Sequence, residues 1–155
     1  MSPTSFEGRF TRVELPGNVR LHLAPTRKFK TLTLKLFVRC DLEAGVASEV
    51  AALPFILRRG TAKIPSQRGL SRALEGLYGA SLEPNLDKVG EEQVLSFTLR
   101  LLGDRFLPEP VLERGVSLLH DILWDPVLDE EGHMRAEEVS QELEKIRRRI
   151  EALID

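Results

Sequence analysis

Three histidines, His22, His120 and His133, and one thiol, Cys40, are the side chains most able to ligate a metal or act as a base near neutral pH. Their spacing is uninformative. No two histidines stand three or four residues apart, so no helix offers a pair of imidazoles on one face. His22 falls on the polar side of a strand pattern, His120 late in a helical one beside Asp121, and His133 in a loop after Asp129-Glu130-Glu131-Gly132. Each reads as a surface or helix-end histidine. A metal site built from the three with nearby acids would need the fold to bring them together. Cys40 closes an apolar strand face and reads as a small buried hydrophobe. The chain has no Gly-x-Ser-x-Gly elbow and no phosphate-binding Gly-x-x-x-x-Gly-Lys loop. Gly60, Gly69, Gly76 and Gly79 are too scattered to cradle a phosphate. Arg58-Arg59 and Arg147-Arg148-Arg149 read as solvated helix faces, and no two acids are spaced convincingly for acid–base work.

The 155 residues that must position these groups are 42% hydrophobic and 30% charged, enough for one domain with a real core. Twenty-two basic residues against 24 acidic ones leave a formal charge of -2, so no strong field points to nucleic acid or an anionic membrane. A single cysteine excludes an internal disulfide. No basic n-region with an apolar stretch opens the chain, and no apolar run approaches a membrane span. The expectation is a cytoplasmic protein.

Hydrophobic periodicity then divides the chain. Val13 and Leu15 lead into Pro16-Gly17-Asn18, where Gly and Asn tolerate positive φ, and Val19, Leu21 and Leu23 follow as a hairpin partner. Leu32, Leu34, Leu36, Val38 and Cys40 alternate with Thr31, Thr33, Lys35, Phe37 and Arg39, the clearest strand. From Ala47 to Arg59 the period becomes helical, with Val50, Leu53, Ile56 and Leu57 on one stripe and Gly60 as the stop. Pro54 should kink this helix or confine it to a short segment. A second helix is expected from Ser66, carrying Leu70, Ala73, Leu74, Leu77 and Tyr78 to Gly79. Pro84 bars the stretch Leu82–Val89 from a fully paired central position. Gly90-Glu91 turns the chain into a strand with Leu95, Phe97, Leu99 and Leu101 on one face. A third helix is predicted from about Pro110 to Leu123, with Val111, Leu112, Val116, Leu119 and Leu123 inward, closed by Trp124-Asp125-Pro126. The last begins near Arg135 and repeats Val139, Leu143, Ile146, Ile150 and Leu153 as a narrow apolar seam. The seam is unfinished when the chain stops at Asp155, so a fragment of a longer protein is expected. Clustered strand and helix blocks predict an α+β fold, helices on one face of a mostly antiparallel sheet.

One segment carries a family likeness. Leu53-Pro54-Phe55-Ile56-Leu57-Arg58-Arg59-Gly60-Thr61, then Pro65-Ser66 and Leu74-Glu75-Gly76-Leu77-Tyr78-Gly79-Ala80, resembles the N-terminal half-domain of the pitrilysin (insulinase-like) inverted-zincin metallopeptidases. There a helix bearing His-x-x-Glu-His runs into a Gly-Thr pair. Counting back from Gly60-Thr61, the two histidines fall on Ala51 and Phe55 and the general base on Pro54. The final-helix glutamate ligand falls near Arg149, or at best on Glu151. Ala, Pro and Phe hold no zinc and accept no proton. The resemblance therefore implies a silent homologue, without catalytic residues, metal or cofactor, similar to the non-catalytic bacterial members. It further implies a single half-domain over 1–155, about the first third of a two-half protein. Such a protein would pair as a homo- or hetero-oligomer with an active zinc-peptidase paralogue and enclose peptides; the charge balance, separately, leads to no nucleic acid and no membrane partner being expected. Two other readings stand beside it: a hydrolase with a relocated metal site, and an oligomerisation module using the C-terminal seam.

Overall fold

A computed structural model describes residues 10–43 and 45–154, excluding the side chains of Arg147 and of residues 149–154. It has two compact units, divided after Lys30. The first holds the hairpin of β1 (Thr11–Leu15) and β2 (Val19–Leu23), paired antiparallel from Thr11↔Leu23 to Leu15↔Val19. Gly17 and Asn18 both take positive φ at its turn, as their residue types allow.

The second unit is α+β. Its sheet has the order β3-β5-β4, all antiparallel, with β3 (Thr31–Asp41), β4 (Ser81–Val89) and β5 (Glu92–Leu102). The eleven-residue register between β3 and β5 sets Leu32, Leu34 and Leu36 opposite Leu101, Leu99 and Phe97. Pro84 stands in β4, an outer strand of this sheet, where a missing backbone donor is tolerated. β5 is the middle strand and is buried beyond the alternation its sequence suggests. Ser96 and Thr98, on its polar face, are 1% and 6% exposed. Both are small and flanked across the ladders by longer side chains, Phe37 and Asn85 for Ser96, Lys35 and Glu83 for Thr98.

Against the Leu-rich face lies the core. Leu57, Leu70, Leu74 and Leu77 meet Leu82, Phe97, Leu99 and Leu101 from the sheet, and Val111, Leu118, Leu119 and Ile122 complete the layer. The helices are α1 (Ala47–Leu57), α2 (Gln67–Glu75), α3 (Leu112–Trp124) and α4 (Ala136–Ile154). α1 runs unbroken through Pro54. It packs against β4 and β5 on one side and α4 on the other, so it buries Ala52 and Pro54 as well as Ile56 and Leu57. Its stripe is thus wider than periodicity suggests, and Val50 and Leu53 are only half-buried.

Two helical expectations are corrected. α2, capped by the Ser66 hydroxyl accepting from the Gly69 N–H, ends at Glu75 rather than Gly79, because Tyr78 and Gly79 turn left-handed to launch β4. In α3 the inward face holds Gly115, Leu118, Leu119 and Ile122, while Val116 is 44% exposed. Gly115 causes the rotation. A Cβ there would stand 2.7 Å from Leu101 Cδ1, so the bare backbone lets α3 settle onto β5. Asp104 Oδ1 accepts from the Val111 and Leu112 N–H groups and starts α3 from eight residues upstream of its first turn. Among the described residues no helix is long and apolar enough to cross a membrane.

Candidate functional site

The segment with the family likeness builds one corner of the second unit. Ala51 and Phe55 lie four residues apart, hence on one face of α1, and both are half-buried. Pro54 is buried. A methyl, a phenyl and a pyrrolidine ring thus stand at the three positions, and none offers a lone pair to a cation. Phe55 borders a groove of about 400 Å³ whose other walls are Arg58 and Arg59 at the end of α1, Pro84 on β4, and Glu142, Lys145 and Ile146 on α4.

α1 and α4 are joined here by charge. Arg59 is not a solvated helix residue, as its neighbour Arg58 is. Its side chain is only 15% exposed and reaches three residues of α4. Nη1 donates to Glu142 Oε1 at 2.7 Å and Nη2 to Gln141 Oε1 at 2.7 Å. Nε lies 4.0 Å from Glu138 Oε2 and is buried without a hydrogen bond. Lys145 Nζ adds a second donor to Glu142 Oε1, also at 2.7 Å. Over the described part of α4 this polar contact stands beside the N-terminal part of the expected apolar seam. Leu143 is 44% exposed, Val139 and Ile146 are half-buried, and among the described residues of α4 Glu142 is the most buried. The side chains of Arg149, Ile150, Glu151 and Leu153 lie outside the described residues.

Burial pushes the Glu142 carboxyl up, but hydrogen bonds and charge from Lys145 and Arg59 outweigh it and hold the group below the ordinary 4.5. A carboxyl depressed on folding lends stability above its unfolded titration, and that stability is lost as pH falls through the folded one. Glu142→Gln therefore lowers the urea midpoint at about pH 7, and its gap from the parent narrows between roughly pH 5 and pH 3. A constant gap across that range would show that the charge on Glu142 contributes nothing.

The Gly60-Thr61 pair holds the corner in place. Thr61 is fully buried; its N–H donates to the Ile64 carbonyl at 2.9 Å and its hydroxyl accepts from the Ile64 N–H at 3.0 Å. Thr61 also bridges to Pro126, and the Ala62 N–H donates to the Asp125 carbonyl at 2.8 Å. The end of α1 is thereby tied to the end of α3. Gly60 has ordinary φ and is there for space, since a Cβ would stand 2.6 Å from the Ile64 carbonyl oxygen.

The histidines stand on different elements. His22 is exposed on β2 of the first unit. His120 stacks on Trp124 with ring centroids 5.2 Å apart, its Nδ1 3.6 Å from Asp121 Oδ1. Asp121 is held below the usual carboxylate range first by its hydrogen bonds from Lys63, at 2.8 and 2.9 Å. His133 is 72% exposed, with Nδ1 3.7 Å from Glu131. Its backbone N–H donates to Asp129, and that bond chiefly lowers the Asp129 carboxyl in a local loop. Cys40 is half-buried at the end of β3, opposite Gln93. Among the described residues no three His, Cys, Asp or Glu side chains gather where they could hold a metal ion.

No protein-family model matches the chain. Over 141 residues it is 33% identical to the "Probable inactive metalloprotease YmfF" of Bacillus subtilis (strain 168), a match covering 90% of this chain and 33% of that protein. A crystal structure of a conserved protein from Enterococcus faecalis V583 superposes with a TM-score of 0.87 at 26% identity, over 94% of this chain and 34% of the other. The chain thus spans about a third of the length of each relative.

Proposed function

We propose that this chain is the N-terminal part of a catalytically silent pitrilysin-type metallopeptidase homologue, which pairs with an active His-x-x-Glu-His paralogue and helps wall a peptide chamber. One observation carries the reading: α1 is a packed helix anchored by Gly60-Thr61, and it carries Ala51, Pro54 and Phe55 where the resemblance places the motif. The similarity to a protein named as a probable inactive metalloprotease supports it. The zinc ion that the family implies does not fit these residues. Two of its ligands would have to be a methyl group and a phenyl ring, and no carboxylate stands at the base position to take a proton from water. The residual contribution of this part is structural, a rigid wall with a groove beside an outer strand.

The test is metal content and peptidase activity of the purified full protein, alone and co-expressed with the His-x-x-Glu-His protein. The expected result is no stoichiometric zinc and no cleavage by the silent chain alone, with a stable complex and activity when the partner is present. Stoichiometric zinc in the isolated chain, with chelator-sensitive cleavage, would overturn the inactive reading. Failure to co-purify under any condition would overturn the pairing.

A further inference from the structure

We propose that the groove beside Phe55 is a carboxylate subsite, in which Arg58 grips the terminal or side-chain carboxylate of a peptide while Phe55, Pro84 and Ile146 take its apolar part. This rests on the reading above, and names what a peptide-walling subunit would hold at the place where the catalytic members keep their metal.

Charge accounting singles out Arg58. Of the cations lining the groove, Arg59 and Lys145 both donate to Glu142, and Arg148 donates to Glu144 at 2.5 Å. Those three cations and two carboxylates satisfy one another. The Arg58 side chain is exposed and makes no hydrogen bond or ion pair among the described residues, although its charge acts on Glu83. On the strand side Glu83 is bonded to Arg100 at 2.5 Å, and Arg58 is only a minor further positive charge on it. Arg58 also borders a second recess beside Ser81, Leu82 and Glu83 at the start of β4, so it stands where two depressions meet. A planar guanidinium with its donors uncommitted matches a carboxylate in two parallel hydrogen bonds, and one such group suits one negative charge. The amide of Gln67 lies in the same wall as a further donor.

The strand beside the groove explains why an end group would be recognised rather than a length of backbone. A peptide added to β4 as a strand gains affinity from successive backbone hydrogen bonds. Pro84 has no N–H to give, so the ladder breaks at the groove. Affinity at this point must come from a side chain and an apolar surface, which is what Arg58, Phe55 and Ile146 supply.

Three probes test this on the full chain: N-acetyl-Ala-Ala-Phe as the free acid, the same peptide as its C-terminal amide, and N-acetyl-Ala-Asp-Phe amide. Binding is measured by calorimetry at low salt, with zinc content determined on the same samples. The free acid should bind at least about tenfold more tightly than its amide, and added salt should erode the difference. Arg58→Ala should abolish that preference, whereas Arg58→Lys should retain part of it. Tight binding of the Asp-containing amide supports a side-chain carboxylate as the ligand, and weak binding of it supports the terminal one. Equal affinity for the free acid and both amides, no binding of any probe, or a carboxylate preference that survives Arg58→Ala overturns the subsite. Because Arg58 is exposed, its removal leaves the fold intact, which far-ultraviolet circular dichroism checks. A zinc-free chain with no carboxylate preference removes only this proposal, whereas stoichiometric zinc removes the reading beneath it.

Discussion

Phe97→Ala should lower the free energy of unfolding by about 3–5 kcal/mol, the range for deleting a buried phenyl ring. Phe97 is 0% exposed at the middle of β5, facing Leu36 on one neighbouring strand and Pro84 on the other. It touches the helix layer above and cannot be replaced by water, because an apolar cavity stays dry. A domain of this size is stable by only about 5–15 kcal/mol, so the loss would remove a large part of the total. Phe37→Ala is the matched control. That ring is 57% exposed on the opposite face of the sheet, near the Lys35 ammonium, and its loss should stay within about 0.5 kcal/mol. Urea titrations followed by circular dichroism give both values. Equal losses at the two positions would contradict the placement of the core on one face.

The second large effect is expected at Gly60→Ala, at about 1–3 kcal/mol, or roughly 2–4 °C in melting temperature for each kcal/mol. The added methyl carbon would stand 2.6 Å from the Ile64 carbonyl oxygen, 3.0 Å from the Ser66 nitrogen and 3.2 Å from the Pro65 carbonyl carbon. All three are backbone atoms of the turn held by Thr61, so no side chain can swing aside. Gly45→Ala adds the same methyl where nothing lies within 4 Å and should be close to neutral. A Gly60→Ala protein as stable as Gly45→Ala would mean that the Thr61 turn yields freely. The expected cost also gives the Gly-Thr pair a structural purpose. It fixes the end of α1 to the end of α3, and that need persists whether or not the preceding turn of helix carries ligands.

Local and two-residue periodic features were legible in the residues. The alternation through Leu32, Leu34 and Leu36 defines β3, Gly17-Asn18 defines the hairpin turn, and Pro84 assigns β4 to an edge. These depend on neighbours in sequence, where propensity and pattern act. Two features depended on partners that sequence does not reveal. Arg59 and Glu142 are 83 residues apart, and a doubled arginine before a glycine looks the same whether it faces water or a helix. Likewise, the inward face of α3 is set by how closely Gly115 approaches Leu101, a matter of volume and not of hydrophobic period. At Ala51, Pro54 and Phe55, where the resemblance places the motif, the residue types alone were informative, since their side chains lack ligand atoms in any fold. What sequence missed there was the network of Arg59 that crosses between the helices one turn further on.

The sole indole of the chain, Trp124, is 65% exposed and stacked on His120 at the outer end of α3. Its light emission therefore comes from a solvent-bathed ring beside an imidazole, far in character from the oily interior. Unfolding takes the ring from one watery setting to another, so an experimenter watching tryptophan colour would see a muted shift while the leucine layer came apart.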